Sequence, residues 1–432
     1  MLHQLKALVP PSLIAVYHRV IAHVAALYYG NPSREMVVIG VTGTNGKTTT
    51  TYLIAKALEG AGVTAGCTTT ALMKIGKIEK QNTMKMTMPG RFALQKLLRQ
   101  MKDAGCTHVI IETSSQGLIQ YRHEGIAYDI GVFTNLTPEH IEAHGGFENY
   151  KKAKKLLFTH LAKQPTKLVH GKAVEKAIIL NADDEHASYY QVEGIKTLWY
   201  SLERKSDLCP DTFTLQERGV HAVINGHDLQ LKLPGAYNLA NALAALLVGK
   251  ECGFALSDLI KGLESVEVIP GRYQRIEEGQ SYEVIIDYAP EPESFKRFYE
   301  AFEASKHGTI IHVLGSCGGG RDIARRPILG QLAAKHADIV VVTNEDPYDD
   351  NPAEIIDQVA DGARSAGKQE GKDLFLLQDR REAIRFAMKQ AKPGDAVILT
   401  GKGNEAWICG AHGSKQPWSE EAEAREAIHL AV

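Results

Sequence analysis

Short apolar runs punctuate the chain, and most end on glycine, a carboxamide or an acid: MVVIGVTG, HVIIETSS, DIGVFTNL, AIILNADD, EVIIDYAP, TIIHVLGSCGGG, DIVVVTNEDP and AVILTGKG. Runs that are apolar throughout, rather than alternating, suit strands covered on both faces. Between most of them lie stretches with apolar residues at helical spacing, such as TTTYLIAKALEGAG and RFALQKLLRQMKDAG. Strands alternating with helices predict an α/β fold with mostly parallel sheets, in which ligands sit at the carboxyl ends of the strands. The pattern changes near residues 268–271, where the helical LPGAYNLANALAALLVGKECGFALSDLIKGLESV gives way to new strand signals. A domain boundary is expected there. The expected division is an apolar leader over 1–36, a central domain over 37–269 and a C-terminal domain over 270–432.

The leader, PPSLIAVYHRVIAHVAALYYGNP, is the most apolar stretch before the first strand, but it carries His18, Arg19 and His23. It has neither a basic start nor a small-residue cleavage site, so a helix packed on the body or on a second copy of the chain is expected, not a membrane span. Of the 432 residues, 44% are hydrophobic and 23% charged, with a net charge of -2. This is ordinary for a soluble globular protein and offers no electrostatic reason to bind nucleic acid. Cys67, Cys106, Cys209, Cys252, Cys317 and Cys409 are widely separated, with no Cys-x-x-Cys pair and no clustered histidine. That spacing argues against a zinc site and for a reducing cytoplasm.

The stretch VVIGVTGTNGKTTTTYLI reads as a strand, a glycine turn and a helix start, the combination that presents backbone N–H groups and a positive dipole end to an anion. Gly43 and Gly46 permit the tight turn, Lys47 reaches phosphates, and the Thr48 hydroxyl is placed to ligate magnesium. The standard phosphate loop has a further glycine where this chain has Val41. A phosphate loop by itself leaves kinases, motors, GTPases and ligases open.

The spelling Gly43-Thr44-Asn45-Gly46-Lys47-Thr48-Thr49 resembles the ATP loop of the Mur ligases, and the rest of the chain continues to match. IIETSSQGLIQYRHEGIAYDIGVFTNLTPEHIEAHGGFENYKKAKKLLF is similar to the central signature of enzymes of the UDP-N-acetylmuramoyl-tripeptide synthetase type, which add the third amino acid. NADD, GAYNLANALAA, GRYQRIEEG, IIDYAPEPES, GSCGGGRDIARRPILG, TNEDPYDDNP and GKGNEAW follow in the family's order. The resemblance implies a central P-loop-type ATPase domain and a C-terminal Rossmann-like domain that closes over ATP. It also implies a reaction: a substrate carboxylate attacks the ATP γ-phosphate, and the incoming amine displaces phosphate from the acyl phosphate to form an amide. Both steps gather negative charge, which metal ions and cationic groups must offset.

By the same resemblance, Thr48 and Glu112 hold the ATP-bound magnesium, and His140 lies near a second metal, with Glu139 where the family usually has Asp. Lys154 matches a lysine that the family carbamylates. Asn241 is the expected adenine contact, with Arg272, Asp287 and Tyr288 near the nucleotide, although Pro290 replaces a family histidine. Thr87, Ser114, Gln120 and Arg122 match contacts to the muramoyl dipeptide, while Met88 and Gln116 depart from the pattern. Arg321, Gly401 and Glu405 are expected near the amino acid.

The identity of that amino acid turns on Glu345, Asp346, Pro347 and Tyr348, which stand where diaminopimelate-adding enzymes have Asp-Asn-Pro-Arg. Without the arginine, bidentate capture of a distal carboxylate is lost. Two carboxylates favour a distal ammonium, so a lysine-like diamino acid is expected, with diaminopimelate, helped by Arg325 or Arg326, as the alternative. Full-length family members also carry a UDP-binding domain where this chain has only residues 1–36. Either the uridine end is held weakly by the other domains or the acceptor lacks UDP. Folylpolyglutamate and cyanophycin synthetases share the loop, but ETSSQGLIQYRHEG fits the muramoyl enzymes better. A non-catalytic nucleotide-binding regulator would require decayed metal ligands, yet Lys47, Thr48, Glu112, His140 and Lys154 are all in place. Expected partners are small molecules and a second copy of the chain.

Overall fold

The computed structural model describes residues 10–139, 141–303, 307–320 and 323–431. His140 and Arg321 lie outside the described residues.

The first strand, β1 (Val37–Thr42), is buried along its whole length, as its uninterrupted apolar run requires. It is the middle of an eight-stranded sheet completed by β2 (Ala65–Thr68), β3 (Leu72–Ile75), β4 (Ile78–Gln81), β5 (His108–Glu112) and β6 (Ile130–Phe133). A small hairpin, β7 (Lys167–Val169) with β8 (Lys172–Val174), precedes the last two strands, β9 (Ala177–Asn181) and β10 (Lys196–Tyr200). The order is β10-β9-β6-β1-β5-β2-β3-β4, parallel except for the β3–β4 hairpin at one edge. β5 and β6 flank β1 in parallel register, so Thr42, Glu112 and Phe133 all arrive at the same end of the sheet. The ligand-bearing loops start from this shared edge.

One apolar cluster fills each face. On one, the helix Lys47–Gly60 packs on Ala236–Glu251 and Leu256–Glu264. On the other, Arg91–Asp103 and Phe147–Lys163 cover the strands. A separate antiparallel sheet of β11 (Thr212–Gln216), β12 (Gly219–Ile224) and β13 (His227–Leu231) joins the first cluster. Its alternation of inward Val220, Ala222 and Ile224 with more exposed neighbours is the period-2 pattern of a sheet wet on one side.

The second body is a six-stranded sheet in the order β14-β15-β19-β16-β17-β18. Its strands are β14 (Gln274–Arg275), β15 (Glu283–Asp287), β16 (Ile310–Leu314), β17 (Ile339–Thr343), β18 (Leu374–Leu377) and β19 (Ala396–Thr400). All pairs except β14–β15 are parallel. Each of the apolar runs read from the sequence is therefore a strand, and the α/β class holds.

The leader forms a helix, Pro11–Tyr28, that rests Ala22, Ala25 and Ala26 on the central body and leaves Leu13, Val16, Tyr17, Val20, Val24, Leu27 and Tyr28 exposed. Among the described residues, no helix is long and apolar enough to cross a membrane.

Candidate active site

The phosphate loop is shaped by contacts that leave no room for side chains at its glycines. Gly46 caps the helix Lys47–Gly60 at φ +80°, and a Cβ there would lie 2.5 Å from Asn241 Oδ1. At Gly43, with φ +153°, a Cβ would lie 1.9 Å from Thr134 Oγ1. The loop is clamped from β6: Asn45 N donates to Asn135 Oδ1 at 2.9 Å, and Thr134 Oγ1 donates to the Asn45 carbonyl at 2.6 Å. Lys47 turns back onto the Thr44 carbonyl, 2.6 Å away. Thr44 Oγ1 accepts from Thr137 N at 3.0 Å. Thr49 is buried in the first turn. Asn241, in the helix Ala236–Glu251, accepts from Thr50 Oγ1 at 3.0 Å.

Glu112, at the tip of β5, is 2% exposed and held by three donors. Thr48 Oγ1 donates to its Oε2 at 2.9 Å, Thr70 N to Oε2 at 2.7 Å and Thr70 Oγ1 to Oε1 at 3.0 Å. Thr70 Oγ1 also lies 2.9 Å from Thr87 Oγ1. A hydroxyl ladder thus joins the loop threonine, the strand-tip acid and the first of the expected acceptor contacts. This set of hard oxygen donors beside a phosphate cradle fits Mg2+, which is bound through one or two protein oxygens together with phosphate oxygens.

Lys154 approaches from the helix Phe147–Lys163 and is 1% exposed. Its Nζ donates to the Gly43 carbonyl at 2.5 Å and sits 4.1 Å from the centre of the Tyr150 ring. Burial and the nearby Lys47 hold its amine well below the usual lysine range, against the opposing pull of Glu139.

One cavity gathers the loop, Thr70, Thr87, Glu112, Ser114, Lys154 and Asn241 from the central body with Arg272, Asp287, Tyr288 and Pro290 from the second. Arg272 crosses to Thr48 Oγ1 at 3.3 Å and lies 4.3 Å from the Tyr288 ring centre. Asp287 accepts from Tyr273 N at 2.6 Å and Ala289 N at 2.7 Å, which shapes the turn that carries Tyr288. Burial raises its carboxyl above the ordinary aspartate range despite Arg272. Pro290 lines the cavity where the family histidine was expected.

The remaining expected acceptor residues serve the local fold as well. Ser114 Oγ caps the short helix Ser115–Ile119 by accepting from Gly117 N at 3.1 Å. Arg122 donates to Gln120 Oε1 at 2.6 Å and to the Met88 carbonyl. Neither Gln120 nor Arg122 lines the loop cavity. Met88 is buried in the core.

Glu345, Asp346, Gly401 and Glu405 form a second cluster at the ends of β17 and β19. A Cβ on Gly401, at φ +100°, would lie 2.4 Å from Glu345 Oε2. Glu345 and Asp346, expected to favour a distal ammonium, already have partners within the chain. Lys402 Nζ donates to Asp346 Oδ1 at 3.0 Å and to Glu405 Oε2 at 2.7 Å, and Cys409 N donates to Asp346 Oδ1 at 2.7 Å. Lys85, from the loop after β4, pairs with the other oxygen of Asp346 and with Glu405 at 3.2 Å. Glu345 Oε1 accepts from Cys317 Sγ at 2.8 Å. Buried acids need such partners, and the chain supplies them from within. Arg326 is committed to Gln358 at 2.6 Å and the Cys317 carbonyl at 3.1 Å, whereas Arg325 Nε and Nη2 are buried with no hydrogen-bond partner among the described residues.

Several working residues escaped the sequence reading. Thr70, Asn135 and Tyr150 carry no motif signal beyond following apolar runs. Lys402 was inside the quoted GKGNEAW, and Lys85 lies in QNTMKMTMPG, a stretch without periodicity. Glu291, beside Pro290 in the quoted IIDYAPEPES, is another. It accepts from Asn45 Nδ2 at 2.6 Å and, with Ser294, forms the capping box of the helix Pro292–Phe302.

Residues 41–249 match the family described as Mur ligase middle domain, and residues 271–403 match Mur ligase, glutamate ligase domain. The chain is 38% identical over 418 residues to a UDP-N-acetylmuramyl-tripeptide synthetase of a Roseiflexus strain, covering 94% of this chain and 81% of the relative. It is 35% identical over 405 residues to a UDP-N-acetylmuramoyl-L-alanyl-D-glutamate--2,6-diaminopimelate ligase of Geobacillus thermodenitrificans, covering 92% and 80%. Among solved structures, a ligase of that same name aligns with a TM-score of 0.59 at 28% identity, over 91% of this chain and 78% of that one. A Mycobacterium tuberculosis folylpolyglutamate synthase aligns at 0.68 and 16% identity, over 89% and 92%, which is a likeness of fold.

Proposed function

The chain belongs to the Mur ligase family of ATP-dependent amide-forming enzymes, and from that premise we propose that it joins a diamino acid to the D-glutamate carboxylate of a muramoyl-dipeptide acceptor in peptidoglycan precursor synthesis. The observation that carries this reading is the ladder Thr48–Glu112–Thr70–Thr87, which sets the acid of a phosphate loop directly against the acceptor wall. The names of the relatives supply the acceptor class.

In this reading the helix N-terminus at Lys47 and the loop amides cradle the ATP phosphates, and Lys47 exchanges the Thr44 carbonyl for phosphate oxygen. Thr48 and Glu112 hold magnesium, which when bound would neutralise charge on the phosphates and on the acyl phosphate. Arg272 adds a cation from the second body, so both bodies must meet for the charge to be balanced. Asn241, Asp287 and Tyr288 form the nucleotide's outer wall. Burial lowers the pKa of the Lys154 amine, which favours its neutral form, nucleophilic toward CO2. An N–C bond forms, one proton leaves, and the resulting carbamate supplies an anion beside Lys47.

The amino acid would enter at Asp346 and Glu405. Lys85 already places an ammonium between these two acids, which supports an incoming ammonium at the same position and a lysine-like substrate. Arg321, Gly401 and Glu405 complete the proposed pocket. The proposed division at 269/270 puts loop and acceptor on one body and the amino acid on the other. A cytoplasmic location is proposed because ATP is consumed, and the outward apolar face of the helix Pro11–Tyr28 supports a homodimer.

The test is ATP-dependent phosphate release with UDP-muramoyl dipeptide and with the unlinked dipeptide, each against lysine, ornithine and diaminopimelate, with hydroxylamine added to trap the acyl phosphate. Hydroxamate formation that requires the acceptor is expected. Turnover with diaminopimelate and none with lysine would overturn the amino-acid assignment, and ATP binding without trapped acyl phosphate would overturn the ligase reading.

A further inference from the structure

Far from the phosphate loop, where the leader helix meets the central body, His123, Glu124 and His160 bring one ligand atom each to within 4.8 Å of one another. His23, on the leader helix, points its Nε2 at Glu124 Oε2 from 3.6 Å. His160 Nδ1 faces the same carboxylate oxygen from 3.9 Å. We propose that His123, Glu124 and His160, completed by His23, form a structural site for a zinc-like divalent transition metal that fastens the helix Pro11–Tyr28 to the central body.

The hydrogen-bonding pattern identifies the ligand atoms. His160 Nε2 lies 2.9 Å from the Ile126 carbonyl, which can only accept, so in this contact Nε2 carries the proton. The Gln164 amide, 3.2 Å away on the same atom, can rotate its oxygen toward it. In the neutral ring Nδ1 then holds a lone pair, and what it faces is a carboxylate oxygen. Two electron-rich atoms facing one another across 3.9 Å leave a gap that a bound cation would bridge. A ring N–H donating to a backbone carbonyl while the other nitrogen binds metal is the usual outer arrangement of a metal-bound histidine.

His123 supplies a second, independent sign. It is 3% exposed, and its buried Nδ1 has no hydrogen-bond partner among the described residues. Its ring stands edge-on to His160 with centroids 4.8 Å apart. Burial, with the neighbouring His160 and Arg19, pushes its pKa down to about 3, and burial lowers that of His160.

The charges around the site leave one oxygen for the ion. Arg19 takes Glu124 Oε1 at 3.7 Å and lies 4.7 Å above the Tyr121 ring, while Oε2 is turned to the two histidines. Zn–N bonds of about 2.0–2.1 Å in a tetrahedron put ligand atoms about 3.4 Å apart, a modest contraction from the present separations. The backbone is already close, since a Cβ on Gly125 would lie 2.9 Å from the Ala22 carbonyl. The cysteine spacing argued against zinc because it looked for ligands close in sequence, whereas these four come from positions 23, 123, 124 and 160.

The test uses the full chain with any affinity tag removed, stripped with EDTA, then titrated with Zn2+ in excess Mg2+ without ATP. Retained metal is counted by mass spectrometry, and Co2+ serves as a spectroscopic probe. One equivalent of zinc is expected to survive dialysis. H123N and H160Q should each weaken binding at least tenfold, and H23A should alter the Co2+ spectrum. C317S, which changes the separate Cys317–Glu345–Asp346 cluster, should retain the metal. Each variant is compared with the stripped parent in EDTA by far-UV circular dichroism. Should a buried-histidine variant fail to fold, E124Q, at a half-buried position, carries the same expectation. No stoichiometric zinc, or zinc lost in C317S but kept in H123N and E124Q, would overturn the assignment.

Discussion

The Lys154 amine donates to the Gly43 carbonyl across 2.5 Å, so the most deeply buried lysine of the central body is attached to the backbone of the phosphate loop itself. Desolvation lowers its pKa well below the usual range. An amine protonated in the unfolded chain but not in the folded one makes the native state more stable as pH rises from neutral toward the unfolded lysine pKa. K154M should therefore abolish amide formation while raising the thermal midpoint in ligand-free protein by about 2–4 °C, since it replaces a desolvated buried amine with an apolar chain of similar length. Phosphate-release assays and calorimetry on the same variant check the two halves. Unchanged activity would remove Lys154 from the site. Restoring bicarbonate to CO2-depleted wild type should recover activity faster at pH 8.5 than at pH 7, because more of the amine is neutral.

For Glu112 the expected outcome is a loss of charge with retention of shape. E112Q keeps an acceptor for Thr48 and Thr70 yet removes the negative charge proposed to hold magnesium. Turnover should fall by about 100-fold or more, with a higher magnesium requirement and an unchanged circular dichroism spectrum. A magnesium dependence identical to wild type would place the metal elsewhere.

The loop glycines give a steric prediction. In G46A the new methyl carbon meets Asn241 Oδ1 at 2.5 Å in a left-handed backbone conformation. A stability loss of about 1–2 kcal/mol is expected, with at least tenfold weaker nucleotide binding by calorimetry.

Glu291 makes a pH-dependent contact between the two bodies. Burial, aided by Glu139, raises its pKa to about 7 from an ordinary glutamate value. The folded state thus binds more protons than the unfolded one between the two values, and stability falls as pH rises through that window. E291Q, which removes the charge, should gain thermal stability relative to wild type at pH 8 and lose that advantage near pH 4.5. A difference that stays constant from pH 4.5 to 8 would mean the carboxyl does not titrate there.

Behind the amino-acid cluster, Arg380 and Glu420 form a fully buried pair, with Trp418 Nε1 donating to Glu420 at 2.7 Å. Arg380 also donates to the Thr400 carbonyl at 2.7 Å and the Asn344 carbonyl at 3.2 Å, just before Gly401 and Glu345. E420A should cost about 3–5 kcal/mol in denaturant titrations.

Much of this was legible because strand tips carry the chemistry. An unbroken apolar run identifies a buried strand, and the polar residue that ends it must sit at the sheet edge where ligands collect, so Glu112 was legible as a strand-tip acid, whereas Asp287 rested on the family resemblance. The antiparallel sheet over 212–231 was passed over, since its alternation is weaker than the buried runs beside it. The partners of Glu345 and Asp346 were not legible for a different reason. Lys85 reaches Asp346 from 261 positions away in the chain, Glu345 meets Cys317, and no local pattern encodes a partner that tertiary folding delivers.

Lys85 and Thr87 are separated only by Met86, yet one holds Asp346 on the second body and the other touches Thr70 beside Glu112. In the proposed binding mode an amine takes the position of Lys85, so the same short segment would be pulled at its far end, next to the strand-tip acid. On that proposal, arrival of the last substrate would be felt at the phosphate loop, in an ordered scheme in which the amine follows the nucleotide and a waiting acyl phosphate meets the amine before water.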